Sequence, residues 1–129
     1  MGNMITPNKP EVLVYKDRED LKIKELVWAM LSGRDFLMET PKDDEDFQKH
    51  LHFASIAVVI LEDENDPACG LVSSLQNDPD IIGCFVAVIL NPKPDSQIKL
   101  LGCGFDLAID QKTCESPEFR QFLINKLDK

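Results

Sequence analysis

Two segments, residues 53–61 and 81–90, are apolar at successive positions rather than at every second one, and they limit the architecture severely. The first runs Phe53-Ala54-Ser55-Ile56-Ala57-Val58-Val59-Ile60-Leu61, and the second carries Phe85-Val86-Ala87-Val88-Ile89 at its centre. Alternate side chains of a strand point to opposite faces of its sheet. A strand with no wet face therefore belongs at the centre of a sheet that is covered on both sides. At 129 residues the chain is long enough to bury such a sheet in a single core without covalent staples.

Around these strands the sequence predicts helices by cap and stripe. Asp17 is placed to cap a helix whose apolar stripe is Ile23, Leu26, Val27, Met30 and Leu31, with Gly33 ending it. Thr40-Pro41, followed by Asp43, Asp44, Glu45 and Asp46, reads as a second helix start with acids in its first turn. Ser116-Pro117-Glu118 starts the last helix, striped by Phe119, Phe122, Leu123 and Leu127. Glu11-Val12-Leu13-Val14-Tyr15 is a short strand, and residues 34–39 read as a connector.

The remaining segments read as antiparallel. Residues 69–75 are expected to return as a strand after the acidic turn Glu62-Asp63-Glu64-Asn65-Asp66-Pro67. Asn91-Pro92-Lys93-Pro94-Asp95-Ser96 is expected to close a hairpin, because two prolines break any ladder there. Pairing Asn91 with Ser96 sets Val86 opposite Leu101, Cys84 opposite Cys103, and Phe85 across from Gly102. The expected fold class is α+β: a central mixed or antiparallel sheet of about five strands, with about three helices packed on it. Residues 1–10 form a lead-in and residues 11–129 one domain.

Charge is distributed unevenly. The formal net charge is −9, yet residues 35–80 alone hold twelve Asp/Glu against two Lys/Arg. Such a field repels phosphate backbones, so direct nucleic-acid binding is disfavoured, and a basic protein partner is favoured. Asp43, Asp44, Asp46, Glu62, Asp63, Glu64 and Asp66 are the candidate partner-binding residues. No apolar run is long enough to span a bilayer, and the start lacks the pattern of a secretory signal, so a cytoplasmic protein with no membrane contact is expected. Gly2 with Thr6 fits a loose myristoylation pattern, but Pro7 and the lack of a following polybasic segment argue against lipidation.

The catalytic templates fail one by one. Cys69, Cys84, Cys103 and Cys114 include no C-x-x-C pair and read as small buried hydrophobes. His50 and His52 straddle a helix–strand junction without a third ligand at fixed spacing. The acidic turn lacks the central Gly and terminal Glu of a calcium-binding EF-hand loop. Pro79-Asp80 with Gln97-Ile98-Lys99 has the outline of a metal-dependent nuclease motif, but a glutamine stands where an acidic ligand is needed. No catalytic residue, metal site or cofactor is assigned. The leading functional expectation is a non-enzymatic acidic adaptor, chaperone or inhibitor that engages a basic partner. The alternatives are a small-ligand sensor using an antiparallel sheet face near Gly83, Phe85, Gly102 and Gly104, and a small hydrolase or metal enzyme using the histidines or an acidic pair. A homodimer is compatible with either sheet edge or the last helix.

Overall fold

The computed structural model describes residues 9–128. Gly2 and most of the expected lead-in lie outside that range. Five strands, β1 (Glu11–Tyr15), β2 (Leu37–Glu39), β3 (Ala54–Leu61), β4 (Cys84–Ile89) and β5 (Leu107–Asp110), form one sheet in the order β2-β1-β3-β4-β5. Every neighbouring pair is parallel. The expected mixed or antiparallel sheet is thus corrected, and with it the hairpin. Parallel neighbours need a crossover between them, and five helices are present: α1 (Ile23–Met30), α2 (Asp44–Leu51), α3 (Pro67–Leu75), α4 (Ser96–Gly102) and α5 (Pro117–Leu127).

The strands within the doubly apolar runs are covered on both faces, while Phe53 and Ile82, just before them, are exposed. One face of the sheet, with Val12, Val14, Ile56, Val58, Ile60, Val86 and Val88, packs on α1 through Ile23 and Val27 and on α5 through Phe119 and Leu123. The other face, with Leu13, Ala57, Val59, Leu61, Ala87 and Ile89, packs on Phe47, Val72 and Leu100 from α2, α3 and α4. Burying each large side chain contributes about 1.5–3 kcal/mol, so the two layers dominate stability.

Three local corrections explain the change of class. The connector at residues 34–39 contains β2, which lies parallel to β1 with Glu11 opposite Leu37. The expected return strand at residues 69–75 is the body of α3. Asp66 caps that helix by accepting the Ala68 N–H at 3.0 Å, and Pro67 stands in its first turn. The expected second hairpin strand is α4, which buries Ser96 and Leu100 one turn apart. Cys84 and Cys103, expected as neighbours, pack against opposite layers. All four cysteines are free thiols.

Candidate functional site

Because all strands run the same way, their carboxyl ends and the starts of the helices that follow share one end of the sheet. In open parallel sheets, ligand sites form at this end, beside the point where chain order reverses. Here the reversal falls between β1 and β3. The crevice is framed by Lys16, Asp17 and Arg18 after β1, by Glu62 to Asp66 after β3, and by Asn91 beyond β4.

Cations from the β1 loop reach into the acidic β3 loop. The Lys16 ammonium lies 3.4 Å from Asp66 Oδ1, and the Arg18 guanidinium 3.3 Å from Glu62 Oε1. Asn91 donates to Glu62 Oε2 at 3.0 Å, and Arg18 is also held by Asp20 at 2.8 Å. Asp66 meanwhile accepts the Glu62 N–H at 3.1 Å in addition to capping α3. Burial would raise the Asp66 pKa, but the N–H groups of Ala68 and Glu62, with the Lys16 ammonium, outweigh it and hold the carboxyl below its ordinary value.

The other carboxylates at this end are engaged as well. Asp17 accepts three backbone N–H groups, from Arg18 at 2.8 Å, Ile23 at 3.1 Å and Lys24 at 2.9 Å. It is the electrostatic cap of α1, as its sequence position implies, although the chain reaches the helix only after Lys22. Asp63 accepts the Asn65 N–H at 2.8 Å. The buried Glu64 accepts the Ser96 hydroxyl at 3.0 Å and faces the Lys93 ammonium at 3.8 Å. Its own backbone N–H, followed by Ser96 and Lys93, outweighs its burial and holds its carboxyl below the ordinary value. At the end of β5, Asp110 accepts the Thr113 hydroxyl and N–H, which lower its pKa.

The parallel topology brings both groups of candidate acids to this one end. Asp43 caps α2 through the Asp46 N–H at 2.8 Å, Asp46 accepts the Lys42 N–H, and Asp44 accepts the Tyr15 hydroxyl. Tyr15 stacks on Phe47 at 4.5 Å between ring centres, and burial, then Asp44, pushes its pKa up. The acids are thus near one another, but they are spent on helix caps and internal pairs. Among the described residues, no three His, Cys, Asp or Glu side chains converge in a way that holds a metal ion. The carboxylates of the crevice are instead committed to Lys16, Arg18 and backbone N–H groups. His50 sits on α2 with Nδ1 at 2.7 Å from Glu11, while His52 is exposed beyond the helix end. Cys114 is fully buried, and burial, then Asp110 and Glu115, pushes its thiol up to about 12, the opposite of an activated nucleophile.

The residues that sequence reasoning passed over are Lys16 and Arg18. The signal was present, since Lys16-Asp17-Arg18 directly follows the first strand. Only a parallel sheet places that loop beside the acidic one.

Neither a protein-family model nor a curated sequence matches this chain. Among solved structures, it is similar to an orphan response regulator of H. pylori, at 13% identity and a TM-score of 0.69, covering 95% of this chain and 99% of that one. The BeF3-activated DrrB receiver domain is similar at 15% identity and a TM-score of 0.70, over 94% of this chain and 99% of that one. An atypical orphan response regulator is similar at 16% identity and a TM-score of 0.67, over 92% and 95%. These likenesses overturn the expectation of an acidic adaptor, chaperone or inhibitor, and the all-parallel sheet, with Gly102 in α4, removes the antiparallel face on which the sensor was expected. No helix among the described residues is long and apolar enough to cross a membrane. In its five parallel strands, strand order and two helical layers, this chain has the flavodoxin-like α/β fold of response-regulator receiver domains.

Proposed function

We propose that this chain is a receiver-type signalling domain whose state is set by contacts with other molecules, not by phosphoryl transfer to the carboxyl end of its sheet. The observation that carries this reading is the pair of bridges across the β1–β3 crevice, Lys16 to Asp66 and Arg18 to Glu62. Phosphoryl transfer needs a free nucleophile and a positioned cation, usually Mg2+, to neutralise the transferred group. Here the acids of the crevice are occupied by protein cations and backbone N–H groups, and no metal-ligating trio forms among the described residues. One of the similar structures is described as an orphan response regulator with a phosphorylation-independent regulatory mechanism. That mode of working is consistent with the wiring of this crevice.

The test is incubation of the full chain with acetyl phosphate and Mg2+, followed by intact mass measurement and a thermal scan with beryllofluoride. Unchanged mass and unchanged melting are expected. An acid-labile species about 80 Da heavier, mapped to Glu62, Asp63 or Asp66, refutes the proposal.

A further inference from the structure

A cleft lies beside the crevice, not in it. It has a volume of about 730 Å3 and opens between the β1–α1 loop and the β2–α2 loop. Val14 and Pro41 are buried in its floor, and Thr40 stands on its wall. Lys16, Arg18, Lys22, Lys24 and Lys42 line it, a concentration of cations in a chain of net charge −9. Lys16 and Arg18 are used by the bridges already described. Lys22, Lys24 and Lys42 come from three different places, the residue before α1, its first turn, and the loop after β2. None of the three has a carboxylate within 4.0 Å among the described residues, although Asp17, Glu19 and Glu25 share the lining.

The backbone adds a second observation. Among the described residues, Lys16 and Lys22 are the two non-glycine residues with left-handed backbone, at φ of 68° and 53°. That conformation costs a residue with a Cβ roughly 1–2 kcal/mol, and such outliers concentrate at ligand sites. Both flank the cleft, and both carry a cationic side chain where glycine would be easier.

We infer that this cleft binds a small ligand carrying a diphosphate group. The α1 N–H groups of Ile23 and Lys24 are already taken by Asp17, so recognition rests on ammonium charges rather than on a backbone cradle. Lysines acting as point charges suit phosphate oxygens, and three of them match a multiply charged anion better than a single carboxylate. No exposed aromatic face lines the cleft: Tyr15 is buried and stacked on Phe47. The phosphates, not an attached ring, are therefore the recognised group. The volume falls within the range of small-molecule sites, and the overall negative field still disfavours a nucleic-acid strand. This inference does not depend on whether the neighbouring crevice is phosphorylated.

The test uses inorganic pyrophosphate as the probe, with calorimetric titration at low salt and amide chemical shifts to locate it. One molecule per chain is expected, with a Kd of about 100 μM from three charge-assisted contacts worth roughly ten-fold or somewhat more each. Shifts should centre on Lys16 to Glu25 and Thr40 to Lys42. Lys22→Glu with Lys24→Glu should weaken binding more than about ten-fold, and they place acids where the α1 dipole favours them, so folding is spared. Lys49→Glu with Lys112→Glu, outside the cleft, should leave the Kd within about two-fold. Absence of binding at millimolar pyrophosphate, equal weakening by both pairs, or shifts centred on Lys93 and Lys99 overturns the assignment.

Discussion

Asp17 separates two accounts of the carboxyl end of the sheet, because removing its carboxylate has opposite consequences in each. In the structure it receives the N–H groups of Arg18, Ile23 and Lys24, all within 3.1 Å. Lys22, which occupies the N-cap position of α1, supplies no side-chain bond, so Asp17 is the cap of that helix. Loss of a capping side chain costs about 0.5–2 kcal/mol. With three charge-assisted donors released together, Asp17→Ala should sit at the top of that range, near 2 kcal/mol. With a slope of about 1.5 kcal/mol/M in urea, the midpoint falls by roughly 1.3 M. The melting temperature falls by about 7 °C for a domain of this size. Asp17→Asn, which retains one acceptor, should fall between. Arg18→Ala, which removes exposed ion pairs alone, should leave the urea midpoint unchanged. If Asp17 were instead a ligand held among other acids for a cation, its removal in metal-free buffer would relieve repulsion and stabilise the fold. A midpoint that rises, or falls by less than about 0.3 M, refutes the capping argument and reopens the crevice as a metal site.

Three further outcomes can be checked directly. A Cβ on Gly83 would lie 2.4 Å from the Ala54 carbonyl oxygen and 3.0 Å from that of Ser55, so Gly83→Ala should cost about 1–3 kcal/mol, whereas Gly70→Ala, in open space inside α3, should gain about 1 kcal/mol; paired urea titrations measure both. Cys103 is the half-buried thiol and should react first with a thiol reagent, while Cys69, Cys84 and Cys114 should wait for unfolding. Burial foremost lifts Cys69 and Cys84 to about 11 and Cys114 to about 12, from an ordinary value of 9.0. The folded state therefore holds these protons more tightly, so their contribution is whole below the unfolded value and is lost as pH climbs through about 11 to 12, a loss that alkaline unfolding followed by circular dichroism should record.

How much of this could be read from the residues alone depends on the kind of signal. The two doubly apolar strands were legible because nine or ten consecutive positions agreed, and continuous apolarity is itself the mark of a parallel sheet buried on both faces. Asn91-Pro92-Lys93-Pro94 competes with that signal, because two prolines in four residues make a strong turn. The segment beyond it, Gln97-Ile98-Lys99-Leu100, alternates as well as it turns, and four residues cannot distinguish period 2 from period 3.6. The cap-then-proline signal that placed α5 at Ser116-Pro117 also stands at Asp66-Pro67. Read the same way, it would have made α3 a helix and forced a crossover. β2 was not legible. Its three residues, Leu37, Met38 and Glu39, lie on an edge and carry little burial.

The acidic middle of the chain then has a structural cause. In a parallel sheet every strand feeds a helix that starts at the same end, and a helix start favours negative charge. Asp43 with Asp44, Glu45 and Asp46 opens α2, and Asp66 caps α3, so five of the twelve acids in residues 35–80 stand at two helix starts. The two groups of acids share one end of the sheet because strands that run the same way also end together. The same logic gives the lysines their meaning. At an end of the molecule where acids are spent on caps, Lys16 and Arg18 neutralise the crevice, and Lys22, Lys24 and Lys42 remain without carboxylate partners within 4.0 Å among the described residues.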